Sequence, residues 1–237
     1  MGTNLVQGQA SEWALLRRHP TESFYGVQVA VGNADLAGKV ARMLDNEISS
    51  SFVDLNCGCP IDVVCDRGCG SGLLNNHNKL CSVVKSMLDN LNRPVTVKIR
   101  TGWNERAPNS HLLVPQLQKM AHGRIAAVMV HGRSRLQRYH RLANWDYILD
   151  VAKAQSPELP ILPVIGNGDI LSWDDWDSHR HRLRESMDDS LDSIGLVNCA
   201  MLGRGALIKP WLPTEIKEHR HYDISASERL DMLKRFW

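Results

Sequence analysis

The chain has 237 residues, 43% of them hydrophobic, and carries 28 Lys+Arg against 26 Asp+Glu for a formal net charge of +2. That length and composition describe a folded globule with room for one large domain, or most of one with a fragment of a second, and so small a net charge is weak evidence for a nucleic-acid partner. No apolar run reaches membrane-spanning length and the polar start from Met1 to Glu12 is no secretory leader, so a cytoplasmic protein, also nuclear, with no membrane contact is expected.

The first apolar run, Phe24 to Val31, reads as a buried strand, and the 23 residues before it are too polar to supply two more strand–helix units. Ala37, Val40, Ala41, Leu44 and Ile48 then share a helical face over Leu36 to Ile48. Strands follow at Phe52 to Asn56, Val95 to Arg100, Ala126 to Val130, Ile161 to Ile165 and Gly195 to Leu202. Helices between them are predicted over Leu80 to Leu91, Leu112 to Met120 and Trp145 to Ala154. The mixed-charge stretch Leu171 to Ser193 reads as an insertion, or as a helix with a lengthened loop. A last helix starts at Ser225 with Glu228 at the capping-box position.

Repeated strand–helix units with polar residues at six strand ends favour an α/β fold of the TIM (β/α)8 type over an open doubly wound sheet. Those residues are Gln28, Asn56 with Cys59, Lys98 with Arg100, His131 with Arg133, Asn167 with Asp169, and Gly203 with Arg204. A full barrel has eight strands, so this one is expected to be incomplete at its N-terminus. Residues 1–218 then form a partial barrel, and 219–237 begin a C-terminal helical domain. Incomplete barrel edges invite oligomerisation.

The segment VDLNCGCPIDVVCDRGCGSGLL, Val53 to Leu74, holds four of the six cysteines. Their clustering fits reduced thiols better than disulfides. Cys59 precedes Pro60 and a glycine-rich bend, as expected of a thiol held on a rigid edge for proton transfer. Cys57 and Cys199 read as small strand residues. The C-x-C pair straddles a strand end rather than forming a zinc knuckle, so no metal site is expected. Arg124, Arg133, Arg135, Arg138 and Arg141, with His131 and His140, form a local basic run, either a solvated face or a phosphate-facing loop.

Together with QGQASEWALLRRHP, FYGVQVAV, VTVKIRTGW, VMVHGRSRLQRY, VIGNGDI and MLGRGALIKPW, that segment resembles the tRNA-dihydrouridine synthases, most closely their eukaryotic branch. The match covers most of Asn4 to Glu218 in order. It implies an FMN-dependent reduction of uridine to 5,6-dihydrouridine in tRNA, at variable-loop position 47, with NADPH or NADH reducing the flavin. It also implies two barrel strands ahead of the QGQ segment and an RNA-binding helical domain behind the barrel.

By the same resemblance Cys59 is the catalytic proton donor to C5, a role suited to a thiol of pKa ~8.5 that stays protonated near neutrality. Asn56 faces the uracil edge, or else caps the turn before Pro60. Gln28, Lys98 and His131 contact the flavin. The loops Gly166 to Asp169 and Gly203 to Ala206 grip its phosphate, with Asn167, Gly168, Asp169, Gly203 and Arg204 as the residues involved. Arg100 could reach cofactor or RNA. Arg133, Arg135 and Arg138 are expected to hold the tRNA, or another RNA, while the base is extruded. Two alternatives remain: a catalytically impaired, truncated flavoprotein, or a barrel flavin oxidoreductase acting on a free pyrimidine.

Overall fold

The computed structural model describes residues 2–185, 197 and 199–236. Two short helices, α1 (Gly2–Val6) and α2 (Ala10–Ala14), come first. Then follow β1 (Gly26–Val29), α3 (Ala34–Glu47), β2 (Phe52–Asn56), α4 (Asp62–Asp66), a 3-10 turn at Gly70–Asn75, and α5 (His77–Leu88). The central units are β3 (Val95–Arg100), α6 (Ser110–Ala121), β4 (Ile125–His131), α7 (Trp145–Lys153), β5 (Val164–Asn167) and α8 (Trp173–Glu185). The chain continues through β6 (Ala200–Met201), α9 (Arg204–Ile208), α10 (Leu212–Glu218) and α11 (Ala226–Phe236).

All neighbouring strands pair in parallel, in the order β1-β2-β3-β4-β5-β6. Parallel neighbours need a crossover, and the helices provide it. Three of these helices begin at asparagines: the side-chain oxygens of Asn33, Asn76 and Asn144 accept from Leu36, Lys79 and Tyr147 N–H at 2.8, 2.9 and 2.9 Å. The sheet curves through 184° about an axis and stays open, a half-barrel rather than a closed one.

Strand side chains alternate between two faces. On the convex face Val27, Val53, Leu55, Val97, Ile99, Val128 and Val130 are buried against Val40, Leu44, Leu80, Val83, Leu113, Leu117 and Ile148 of the helices. That layer is the hydrophobic core. The concave face is different, because the in-register residues there are Gln28, Asp54 and Thr96 in one row, and Asn56 and Lys98 in the next. A closed barrel of this kind fills its interior with branched apolar side chains. Here the interior row is polar and ionisable.

The strands at Phe52–Asn56 and Val95–Arg100 lie where the sequence places them. The fifth starts later, at Val164 rather than Ile161, because Pro163 has no N–H to give the ladder; its carbonyl instead accepts from Val128 N–H at 2.8 Å. Of the run Gly195 to Leu202 only Ala200–Met201 is strand, and Gly195, Leu196 and Asn198 lie outside the described residues. The stretch from Leu171 is helical over Trp173–Glu185, and its remainder, 186–193, also lies outside them. The Ser225 capping box forms, with Ser225 N–H donating to Glu228 Oε2 at 2.9 Å and Glu228 N–H to Ser225 Oγ at 3.3 Å. Helices α1 and α2 were not expected, since neither is long enough to show a periodic face.

Candidate functional site

The Cys59 turn is fastened from several sides. Asn56 Oδ1 accepts from Gly58 N–H at 3.1 Å and from Cys59 N–H at 2.9 Å, which is the turn-capping geometry. Cys59 carbonyl accepts from Ser71 N–H at 3.0 Å, and Gly58 carbonyl from Arg100 Nε at 2.8 Å. Gly70 sits at φ +54°, and a Cβ there would stand 2.8 Å from the Cys59 carbonyl, so the bend needs glycine. Cys59 is half-buried, whereas Cys57, two residues earlier and packed with Val53 and Leu55 in the core, is fully buried. Burial pushes the Cys57 thiol well above its ordinary range, so it stays protonated and inert.

Beside this turn Asn56 Nδ2 donates to Gln28 Oε1 at 2.8 Å, and Gln28 Nε2 donates to Asp54 Oδ2 at 2.7 Å. Asp54 is 3% exposed and also accepts from Thr96 Oγ1 at 2.7 Å. Sequence reasoning missed Asp54 and Thr96. The signal available was a carboxylate flanked by Val53 and Leu55 within a strand, because such a residue must face a polar interior or pay the cost of burial.

Lys98 stands next along the concave face. Its side chain keeps some solvent contact, but burial, reinforced by the Arg100 charge, pulls its ammonium down to about 7, with Asp54 opposing. Among the described residues no hydrogen bond holds its Nζ, so the charge is available to a ligand. In the unfolded chain the same lysine titrates near ~10.4, so folding favours its neutral form. Stability from this group is full above ~10.4 and is lost as pH falls through the folded value. Urea midpoints are therefore expected to rise between about pH 7 and about pH 9.5, and the rise should flatten in Lys98→Met. A slope unchanged by the substitution would contradict this.

His131 lies beyond Lys98, 8% exposed, and its pKa is held down at about 2 by burial first and by Lys98, Arg100, Arg133 and Arg204 after it. The ring is neutral. Because a guanidinium only donates, Arg133 Nη1 at 3.3 Å makes His131 Nε2 the acceptor and leaves the proton on Nδ1.

Arg133 itself is 3% exposed. Its Nη2 donates to both Asp169 oxygens, at 2.8 and 2.7 Å, and its Nε and Nη2 to the Arg141 carbonyl at 2.9 and 2.7 Å. The phosphate- or base-clamping role expected for Arg133 does not suit this placement, since the guanidinium is buried and its donors are engaged. Arg100 is likewise buried, 4% exposed, and is spent on the carbonyls of Gly58 and Ser134. Both arginines fix loops.

Asp169 joins the two late glycine loops. It accepts from Arg204 Nη2 at 3.1 Å and from Ala143 N–H at 2.7 Å, and sits at φ +57° after Gly168 at φ +128°. A Cβ on Gly168 would meet Ala143 Cβ at 2.5 Å and His131 Cδ2 at 3.2 Å. Between the loops lies a cleft of about 310 Å³ lined by His131, Tyr139, Asn167, Gly168, Gly203 and Arg204. Asn167 Nδ2 is bonded to the Met201 carbonyl at 2.8 Å, and Gly203 has open space around its Cα. Arg204 remains half-exposed, stacked over Tyr139 at 4.6 Å.

The rest of the basic run is closer to solvent. Arg138 is exposed and Arg135 is partly so; both pair with Asp62, and Arg135 stacks over Trp103 at 4.4 Å. The structure thus groups Gln28, Asn56 and Cys59 on one flank of Lys98, and His131, Asn167, Gly168, Asp169, Gly203 and Arg204 on the other. Arg135 and Arg138 stand outside both.

Residues 3–234 match the family model described as Dihydrouridine synthase (Dus). The chain is 48% identical over 236 residues to the rat tRNA-dihydrouridine(47) synthase (NAD(P)(+))-like protein, covering 100% of this chain and 34% of the relative. It is 47% identical to the human protein of that description, covering 99% and 33%, and 42% identical to the Arabidopsis thaliana one, covering 100% and 32%. It therefore spans about a third of the length of these relatives. Among solved structures a phosphonopyruvate hydrolase is similar at 11% identity and a TM-score of 0.44, over 90% of each chain, too distant to carry an argument. A family-model match along nearly the whole chain, with relatives at 42–48% identity over its full length, places the chain in the dihydrouridine synthase family.

Proposed function

We propose that this chain provides the flavin- and uracil-facing half of a tRNA-dihydrouridine synthase, and that as an open half-barrel it works at reduced efficiency. The observation that carries this reading is the unpaired Lys98 ammonium between the Cys59 turn and the glycine-loop cleft. FMN, when bound and reduced by NADPH or NADH, supplies the hydride for uridine C6. The residues present suit that group. Lys98 offers an ammonium opposed only by the nearby Asp54 carboxylate and held by no hydrogen bond among the described residues. Neutral His131 offers Nδ1–H, and the cleft beside Gly168, Gly203 and Arg204 suits a phosphate.

Cys59 holds the proton destined for C5, on a turn kept rigid by Asn56, Arg100 and Ser71. Arg135 and Arg138 are the accessible cations for the tRNA backbone, and residues 219–237 open the helical domain that adds to RNA binding. Position 47, the number in the relatives' description, is the site proposed, and we place it in the variable loop. The impaired reading is favoured by the 184° sheet, which covers a ligand from one side only. Uridine in tRNA, rather than a free pyrimidine, is the substrate proposed.

Flavin titration tests this reading. FMN fluorescence should quench on adding the protein, and the affinity should weaken as pH rises through about 7, where Lys98 loses its proton. Lys98→Met should bind more weakly and show no such dependence. Absence of quenching at every pH, or uracil reduced as readily as tRNA, would overturn it.

A further inference from the structure

Two backbone N–H groups fix the direction of a hydrogen-bond chain that ends on a buried carboxylate. The amides of Gly58 and Cys59 can only donate, so the Asn56 atom they meet at 3.1 and 2.9 Å must be its oxygen. The NH2 of Asn56 is then the group facing Gln28, and Gln28 receives it with Oε1 at 2.8 Å. That leaves the Gln28 NH2 to donate to Asp54 Oδ2, at 2.7 Å. Asp54 Oδ1 accepts from the Thr96 hydroxyl, also at 2.7 Å. The acceptor-only carboxylate form suits both contacts, although burial raises the Asp54 pKa.

Strand register holds the chain together, since Gln28, Asp54 and Thr96 are direct partners across β1, β2 and β3. We propose that Asp54 is a positioning residue: its carboxylate dictates the orientation of the Gln28 and Asn56 amides, and through them the placement of the Cys59 backbone and thiol. The link to catalysis rests on the reading of Cys59 as proton donor; the relay itself does not.

Orientation passes along the relay because each amide has one donor end and one acceptor end. Without an acceptor at position 54 the Gln28 NH2 loses its partner and can turn toward Asn56. Two NH2 groups would then oppose one another. Asn56 could relieve that only by turning as well, which would aim its NH2 at the N–H groups of Gly58 and Cys59. Lys98, on the neighbouring strand, and the hydrogen bonds from Thr96 and Gln28 favour the ionised form against burial, which raises the Asp54 pKa.

Amide hydrogen exchange on the 237-residue chain, with no cofactor or RNA added, tests this directly. Asp54→Leu is expected to speed exchange at Gly58 and Cys59 by ~10-fold or more while leaving the β3 and β4 amides unchanged. Asp54→Asn keeps an acceptor for Gln28 and should stay within ~3-fold of the parent. Should Asp54→Leu fail to fold, Gln28→Leu at the exposed middle link of the relay cuts the same chain and should release the same two amides. Parental protection in the variant that folds, or an Asp54→Asn variant as unprotected as Asp54→Leu, would falsify the relay. Uridine reduction measured on the same samples keeps the two readings apart. Lost protection in an inactive protein still supports the relay, and full activity with lost protection counts against Cys59 placement as its purpose.

Discussion

Replacing Asp169 by alanine is expected to destabilise the protein by about 3–5 kcal/mol, the range for breaking a buried ion pair from one side. Arg133 is 3% exposed and its charge is answered by both Asp169 oxygens, at 2.8 and 2.7 Å. After truncation the guanidinium keeps the Arg141 carbonyl, its contact with His131 and its place over the Tyr139 ring, none of which carries a negative charge. Ala143 N–H loses its acceptor too, and alanine is strained at φ +57° by roughly 1 kcal/mol, where aspartate and asparagine are tolerated. Asp169→Asn keeps the backbone preference and one acceptor but not the charge, so it should fall between parent and alanine. Urea denaturation checks the order: the midpoint should drop at constant m-value. An alanine variant within ~0.5 kcal/mol of the parent would mean that Arg133 is neutralised elsewhere.

The fate of Arg133 marks where sequence reading stops. Short Val- and Ile-rich runs told where the buried strands lie, so Val53, Leu55, Val97 and Ile99 were legible as strand residues, with Cys57 as a small residue among them. The run ends also placed Asn56, Lys98 and His131 at the C-terminal rim of the strands. What a concave residue touches depends on register and on loops that fold back, and neither is periodic. Arg133 and Arg138 look alike in the string HGRSRLQRY. One is buried by the 133–141 loop, and the other stands at its exposed turn with φ +48°. The Gln28–Asp54–Thr96 row was equally hidden, because it joins residues 26 and 42 positions apart.

On the proposed reading of Cys59 as proton donor in uridine reduction, Cys59→Ala should leave stability within ~0.5 kcal/mol of the parent yet lower that reaction by roughly 10²–10⁴-fold, the range for losing a positioned proton donor. The fold tolerates the change because what fastens the turn is backbone: the Cys59 N–H bond to Asn56 and its carbonyl bond to Ser71 survive in alanine. Reduction of added flavin by NADPH should be unaffected, since that half-reaction needs no proton from position 59. Cys57→Ala supplies the control, because its thiol is fully buried on the convex face and should cost packing rather than turnover. Single-turnover assays that separate flavin reduction from flavin reoxidation by tRNA check the split. Equal slowing of both halves in Cys59→Ala would point to a disturbed flavin site, and no slowing of reoxidation would remove the thiol from the reaction altogether.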